Sequence, residues 1–258
     1  MNQSESTYYY DIGGRKTVRW IIKRLEDRFH DIPSYKFNVL DIGCGTCQLT
    51  KIIAEKFNCN ITAVDIDANS IKKARSIVMP ENIELLVANV EENVLQGDYD
   101  VILMTQVLDH LKNPLNLMTM VTRNNLKDKG IILIGISNGY GMYEKSKKRH
   151  GFNTSYMKND NAKKLIMLPY TCNVESQHIW KFSKNDLKKM TQTAGLKITK
   201  FKNITFLLPT YPFNKLFFSS YAVLGKILDD IDGCIADVVP HLFASNWFFE
   251  CVKQKGNI

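Results

Sequence analysis

Residues 39–47, Val-Leu-Asp-Ile-Gly-Cys-Gly-Thr-Cys, constrain the fold of this 258-residue chain more than any other stretch. Val39, Leu40 and Ile42 have the apolar character of a buried strand. Gly43-Cys44-Gly45 then turns the chain, and Leu49, Ile52, Ile53 and Phe57 follow at helical spacing. A strand that ends in a glycine turn and opens a helix makes a cradle for a small polar ligand. The glycines let the backbone come close to it, and the helix start offers N–H groups with no partner in the helix.

Two nucleotide readings of this turn fail. A dinucleotide fingerprint needs a third glycine three residues after the second, and that position is Gln48. A P-loop needs Gly-Lys-Ser/Thr, which is absent after Gly45. The remaining pattern, Asp41-x-Gly43-x-Gly45 at the end of an apolar strand, resembles the first motif of the class I S-adenosylmethionine (SAM) methyltransferases. The resemblance implies that the turn passes under the methionine part of SAM and that Asp41 helps hold its ammonium group.

The resemblance continues along the chain. Ile61–Asp65 reads as a second strand ending in an acid 20 residues after Gly45, where a carboxylate meets ribose hydroxyls in a mononucleotide-binding unit. Residues 82–89 read as a third strand. Asn89 stands where the family usually has an acid for the adenine amino group, and its amide oxygen is the available acceptor. Tyr99–Met104 is a fourth strand, and Thr105-Gln106-Val107-Leu108-Asp109-His110 resembles the family's stretch after it. Gly130–Ile136 is a fifth strand, Leu196–Phe206 a sixth and Asn246–Lys253 the last. The implied fold is α/β: a Rossmann-like seven-stranded mixed sheet of order 3-2-1-4-5-7-6, with the last strand antiparallel and helices on both faces. The implied cofactor set is Arg15, Asp41, Gly43, Cys44, Gly45, Asp65, Ile66, Asn89, Val90, Thr105 and Gln106.

Length fits one such domain over residues 1–258, with a helical cap over 1–34 and insertions at 137–182 and 207–243 that cover the acceptor. The cap follows from Val18, Ile21, Ile22, Leu25 and Phe29, which make one face of a helix over 15–30. Two readings of Arg15 stand: a fork onto the methionine carboxylate, or a solvated helix charge. The start of the chain lacks a signal-peptide pattern, no run of 18 apolar residues occurs, and six cysteines suit a reducing compartment. These features predict a cytoplasmic protein. Cys44 and Cys47 form a Cys-x-x-Cys, which redox pairs and zinc half-sites also use, but no second Cys/His pair completes a zinc set.

Net charge is +8, and residues 142–164 carry seven Lys/Arg against Glu144 and Asp160. A basic cover favours an anionic small-molecule acceptor, or RNA; the alternative is a solvated lysine-rich loop. Tyr140, Tyr143, Phe152 and Tyr156 are interleaved and suit base stacking or a lid equally. Ser183-x-x-Asp186 is a capping box opening a helix that Gly195 stops. The apolar segment 207–243 reads as an acceptor lid, a dimer face or a membrane-touching patch.

SAM chemistry is an in-line displacement, so orienting the acceptor supplies most of the acceleration, and a base matters only for an acceptor that must lose a proton. The candidates are His178, Asp109 and His110. His178 reads as the first choice for base or acceptor-orienting residue, on the position of its family counterpart. Some relatives bind a divalent cation through Glu-x-x-Glu-His after the fourth strand. Gln106 and Asp109 replace those acids here, which predicts no metal. The expected function is O-methylation of a small molecule, glycan precursor or secondary metabolite. RNA methylation and a SAM-binding regulator without turnover are the alternatives, and a homodimer is compatible with all three.

Overall fold

A computed structural model of the protein describes residues 14–30, 34–77, 79–93, 95–141, 156–159, 164–167, 180–206 and 222–254. The elements in chain order are α1 (Gly14–Phe29), β1 (Phe37–Ile42), α2 (Gln48–Lys56), β2 (Cys59–Asp65), α3 (Ala68–Arg75) and β3 (Ile83–Val87). They continue with β4 (Tyr99–Thr105), α4 (Pro114–Asn124), β5 (Leu126–Ser137), β6 (Tyr156–Asn159) and β7 (Lys164–Met167). The last are α5 (Lys184–Thr193), β8 (Leu196–Thr205), α6 (Ala222–Val238) and β9 (Asn246–Lys253).

β1, β4 and β5 are nearly continuous apolar runs because both of their faces are covered by helices. They lie in a seven-stranded sheet of order β3-β2-β1-β4-β5-β9-β8. β1 to β5 run parallel, and β9 runs antiparallel between β5 and β8. Counted without the separate β6–β7 pair, this is the 3-2-1-4-5-7-6 order that the resemblance implies. Side-chain alternation splits the core in two. Leu40, Ile42, Ile102, Met104, Ile132 and Ile134 meet α4 and α5 through Leu117, Met118, Leu187 and Met190. Val39, Val101, Leu103, Ile131 and Leu133 meet α1 and α2 through Val18, Ile21, Leu25, Leu49 and Ile53.

Three details depart from the sequence reading. β3 ends at Val87, two residues short of Asn89, which sits in the turn that follows. β5 starts at Leu126, four residues before Gly130, and the Lys127 ammonium in this added stretch lies 2.8 Å from buried Asp100. Residues 137–182 carry few strand signals, yet β6 and β7 pair there as an antiparallel ladder, Tyr156 opposite Met167. Asp160-Asn161, residues suited to a turn, stand between the two strands in the sequence. The basic segment 142–164 otherwise lies outside the described residues, as do residues 1–13, 168–179 and 207–221. Among the described residues no helix is long and apolar enough to cross a membrane.

Candidate functional site

The order of the sheet reverses between β1 and β4, so their connections leave on opposite sides and a crevice opens at the carboxyl ends of the strands. A cleft of about 500 Å³ occupies this place. Its walls come from the end of β1 (Ile42, Gly43), from the end of β2 and the turn after it (Val64 to Asp67, and Ser70), from Ala88 to Glu91 after β3, and from Gln106, Val107, His110, Leu111 and Lys112 after β4.

The glycine turn has the geometry that the sequence demands. Gly43 and Gly45 have φ of +71° and +54°, the left-handed region that costs other residues about 1–2 kcal/mol. A Cβ on Gly43 would stand 2.8 Å from Val107 Cγ2, so the turn after β1 presses against the loop after β4. Nothing lies within 4 Å of a Cβ built on Gly45, which leaves room for a ligand there. The N–H groups of Gly43 and Cys44 both donate to Val64 O, at 2.8 and 3.2 Å. Cys47 is also left-handed and opens α2 without a side-chain cap, so no side chain competes for the first N–H groups of that helix.

Two acids brace this turn. Asp65 Oδ2 accepts from Gly45 N–H at 2.7 Å, and Oδ1 accepts from Asp67 N–H at 2.8 Å. Asp41 is 1% exposed. Its Oδ2 accepts from Thr50 Oγ at 2.6 Å, while Oδ1 has no hydrogen-bond partner among the described residues. Burial pushes the Asp41 carboxyl up to about 6; the Thr50 hydroxyl opposes this and the Asp65 charge adds to it. A buried carboxylate oxygen left without a donor is costly, and a cationic ligand group removes the cost.

The far wall is held by Glu91, whose carboxylate accepts from Lys112 N–H at 3.0 Å and Asn113 N–H at 2.6 Å. This strap ties the loop after β3 to the loop before α4. Asn89 Oδ1 accepts from Glu91 N–H at 3.1 Å, so the amide oxygen expected to face an adenine amino group is engaged in its own turn. Ile66 lines the cleft and is 67% exposed, a large apolar side chain that a flat ring would cover. Gln106 is left-handed at φ +55°, a conformation that non-glycine residues seldom adopt outside functional or tightly braced positions. Its N–H donates to Gly135 O at 2.8 Å, and its Oε1 accepts from Ser137 Oγ at 2.9 Å.

Of the residues expected from the sequence, Gly43, Asp65, Ile66, Asn89, Val90, Gln106 and His110 line the cleft together. Asp41, Cys44 and Gly45 stand directly behind or beside Gly43. Thr105 ends β4 next to Gln106. Arg15 is elsewhere engaged: Nη1 lies 3.3 Å from Asp230 on α6, which shares Arg19 as well. Asp109 is buried, and its carboxylate lies 3.8 Å from His110 Nε2. His178 lies outside the described residues, two positions before Trp180, whose N–H donates to Asp109 O and whose indole N–H donates to Leu111 O. Cys44 and Cys47 are free thiols, and the hydrogen bond that Cys44 donates to the Cys47 sulfur, together with burial, pushes the Cys44 thiol up. Among the described residues no three His, Cys, Asp or Glu side chains are grouped to hold a metal ion.

Sequence reasoning missed Asp67, Ser70, Glu91, Val107 and Lys112. Glu91 left one signal, an acid in a turn two residues past Asn89. Val107 left none, because its role is to be touched by a glycine 64 residues away in the chain.

Comparisons with known proteins follow the same line. The chain matches the family described as a methyltransferase domain over residues 15–200, well over half its length. It is 28% identical over 124 residues to a ubiquinone biosynthesis O-methyltransferase of Rickettsia bellii, covering 47% of this chain and 50% of that protein. It is 28% identical over 135 residues to a malonyl-[acyl-carrier protein] O-methyltransferase of Priestia megaterium, covering 51% and 47%. The matched stretch thus spans about half the length of these curated relatives. Magnesium protoporphyrin IX methyltransferase of Synechocystis, solved with bound S-adenosylhomocysteine (SAH), superposes with a TM-score of 0.60 at 12% identity, over 98% of this chain and 89% of that one. With the sheet order and the Asp41–Gly45 turn, these matches establish that the chain belongs to the methyltransferase-domain family, of the class I, SAM-dependent type.

Proposed function

We propose that the protein is a SAM-dependent methyltransferase acting on a small-molecule acceptor, with O-methylation the favoured chemistry. One observation carries the reading: a glycine turn, a ribose-level acid and an exposed apolar platform converge on one cleft at the carboxyl ends of β1, β2 and β4. The residues fit the donor. Asp41 offers its unpartnered oxygen to an ammonium group, Gly45 leaves open space for the methionine moiety, and Ile66 lies flat-exposed for adenine. Asp65 keeps lone pairs for ribose hydroxyls beyond the two backbone donors it already serves. Bound SAM supplies a methyl group activated on a sulfonium.

The chain's own residues then orient the acceptor and manage its proton. His110 is the candidate base, because it lines the cleft and its Nε2 lies 3.8 Å from the Asp109 carboxylate, which can orient the ring. His178, the first choice on sequence grounds, lies outside the described residues and stays a candidate on those grounds alone. The names of the two curated relatives support oxygen as the acceptor atom.

Calorimetry with SAM and SAH tests the donor site. Micromolar binding is the expected result, weakened at least tenfold by Asp65→Ala. Absence of binding in both proteins would sink the proposal.

A further inference from the structure

Helix α6 has three faces, and among the described residues two are engaged within the chain. Toward α1, Asp230 pairs with Arg15 and Arg19, while Asp237 pairs with Lys16 and also with Lys202 of β8. Toward the end of β8, Asp232 accepts from Phe206 N–H at 2.8 Å, and Ala236 O accepts from Asn203 Nδ2 at 2.9 Å. The third face carries Ile227, Ile231, Cys234, Ile235 and Val238, all exposed. At 100° per residue they fall within an arc of about 100°. Ile231 is 50% exposed and Val238 82% exposed, and Leu242 and Phe243 in the turn after the helix are exposed too.

We propose that this stripe is a homodimer interface, and that its occupant is the same stripe on a second copy of the chain, related by a two-fold axis passing near Cys234. The area supports it. The six apolar side chains leave on the order of 600 Å² in water, at the top of the range of roughly 300–600 Å² for the largest patch on a monomer. Two copies meeting there bury about 1,200 Å², the lower edge of a standard specific interface. The geometry is self-complementary, as a two-fold contact requires. Ile227, Ile231 and Ile235 form one i, i+4 ridge, which packs into the matching groove of an identical helix at a crossing of about −50°. Cys234 stands near the middle of the length of the stripe and at one edge of its width, one turn from Ile231 at its centre, so a two-fold axis there brings two copies of it within about a helix diameter of each other.

Charge argues against a lipid surface as the occupant. α6 carries Asp229, Asp230, Asp232 and Asp237 against the single Lys226. A helix that lies on an anionic bilayer has the opposite balance on its polar face. The aspartates flanking the stripe are instead neutralised by Arg15, Arg19, Lys16 and Lys202 of the same chain, which leaves a rim that two copies can bring together without repulsion.

Sedimentation velocity of the full chain tests the proposal. A dimer with a dissociation constant of about 1–10 μM is expected. Ile231→Glu and, separately, Val238→Glu should shift the protein to monomer while far-UV circular dichroism and SAH binding stay as in the parent. As an independent measurement, a short bis-maleimide reaching about 10 Å, near the interaxial distance of packed helices, should cross-link the unmodified protein, and Cys234→Ser should remove the product. A monomer at about 100 μM with no cross-link overturns the proposal. So does a dimer that both charge variants leave intact, which would place the contact on another face. Flotation of the monomer with phosphatidylglycerol vesicles, lost in Val238→Glu, would assign the stripe to a membrane instead.

Discussion

Asp41 concentrates the conflict between stability and binding in one side chain. Its carboxyl is raised to about 6 by burial, so the fold favours the protonated form. Its contribution to ligand-free stability is therefore fully present below the ordinary value of 3.8 and is lost as the pH rises through about 6. A cationic donor group needs the ionised form. Donor affinity should accordingly fall as the pH drops below about 6, by up to about tenfold per pH unit, and a titration series of SAH and SAM calorimetry between pH 5 and 8 checks it. Asp41→Asn should weaken SAM binding by about 10- to 100-fold, the usual worth of a charge-assisted hydrogen bond, while the ligand-free melting temperature at pH 8 is no lower than that of the parent. A large loss of stability at pH 8 would contradict the raised carboxyl. Gly43 behaves differently: its φ of +71° and the 2.8 Å approach to Val107 are separate obstacles to any side chain. Gly43→Ala should abolish donor binding, and adding Val107→Ala should restore only part of it, because the smaller neighbour relieves the contact and not the backbone strain of about 1–2 kcal/mol.

Elements hold the site through their ends. α5 is opened by Ser183, which accepts from Asp186 N–H while the Asp186 carboxylate accepts from Ser183 N–H at 2.9 Å. The spacing Ser-x-x-Asp announced this box, since the two partners are three residues apart. Ser183→Ala should cost about 1 kcal/mol, a fall in melting temperature of roughly 2–4 °C for a chain of this size, read by calorimetry. The loss should leave SAH affinity unchanged, because α5 packs into the core through Leu187 and Met190 and contributes no residue to the lining of the cleft. The strap from Glu91 to the N–H groups of Lys112 and Asn113 was not legible in the sequence. It joins two loops that are about twenty residues apart and touch only because β3 and β4 flank β2 and β1. Glu91→Gln should therefore widen the cleft and weaken adenosine-moiety binding several-fold, tested by comparing SAH with adenosine. Loss of affinity for SAH with no change for adenosine would contradict it.

At the scale of the whole molecule, the sheet is closed by a residue that has no side chain. Gly135 lies opposite Phe248 in the β5–β9 ladder, and a Cβ there would stand 2.2 Å from Phe248 Cε2. The ring occupies that space and packs on Trp20 of α1 at a centroid distance of 5.1 Å. β5, β9 and the N-terminal helix are thus clamped at one point. Gly135→Val should displace Phe248 and unseat α1, with a loss of about 3 kcal/mol or more, the usual penalty of an overpacked core. Urea unfolding followed by Trp fluorescence would register both changes, and an unaltered midpoint would refute the clamp. Asp100 locks the opposite edge of the strand ends, accepting from Tyr35 Oη, Asn38 N–H and Lys127 Nζ at 2.7, 2.8 and 2.8 Å. Although burial raises its carboxyl, these donors hold it below 3.8. Its stabilisation is present above that pH and fades as the pH falls through the lower folded value.

The strand order followed from the resemblance to class I methyltransferases; the sequence by itself determined the strands, the glycine turn, the acid after β2 and the caps. Each of these is encoded by local spacing: period-two and period-3.6 apolar patterns, glycines where φ is positive, and acceptors three residues from their donors. Asn89, Asp65 and Arg15 show where that reach ends. Asn89 and Asp65 were legible as candidates and both line the cleft, but their oxygens are shared with backbone N–H groups that only the folded turns bring near. Arg15 matched a cofactor role by position, yet an acid more than two hundred residues away on α6 stands beside it. Tertiary structure alone decided the partners of Gly43, Glu91 and Gly135, and the one face of α6 that no part of the described chain covers. These depend on contacts between residues distant in sequence, for which close packing, and not periodicity, selects the side chain.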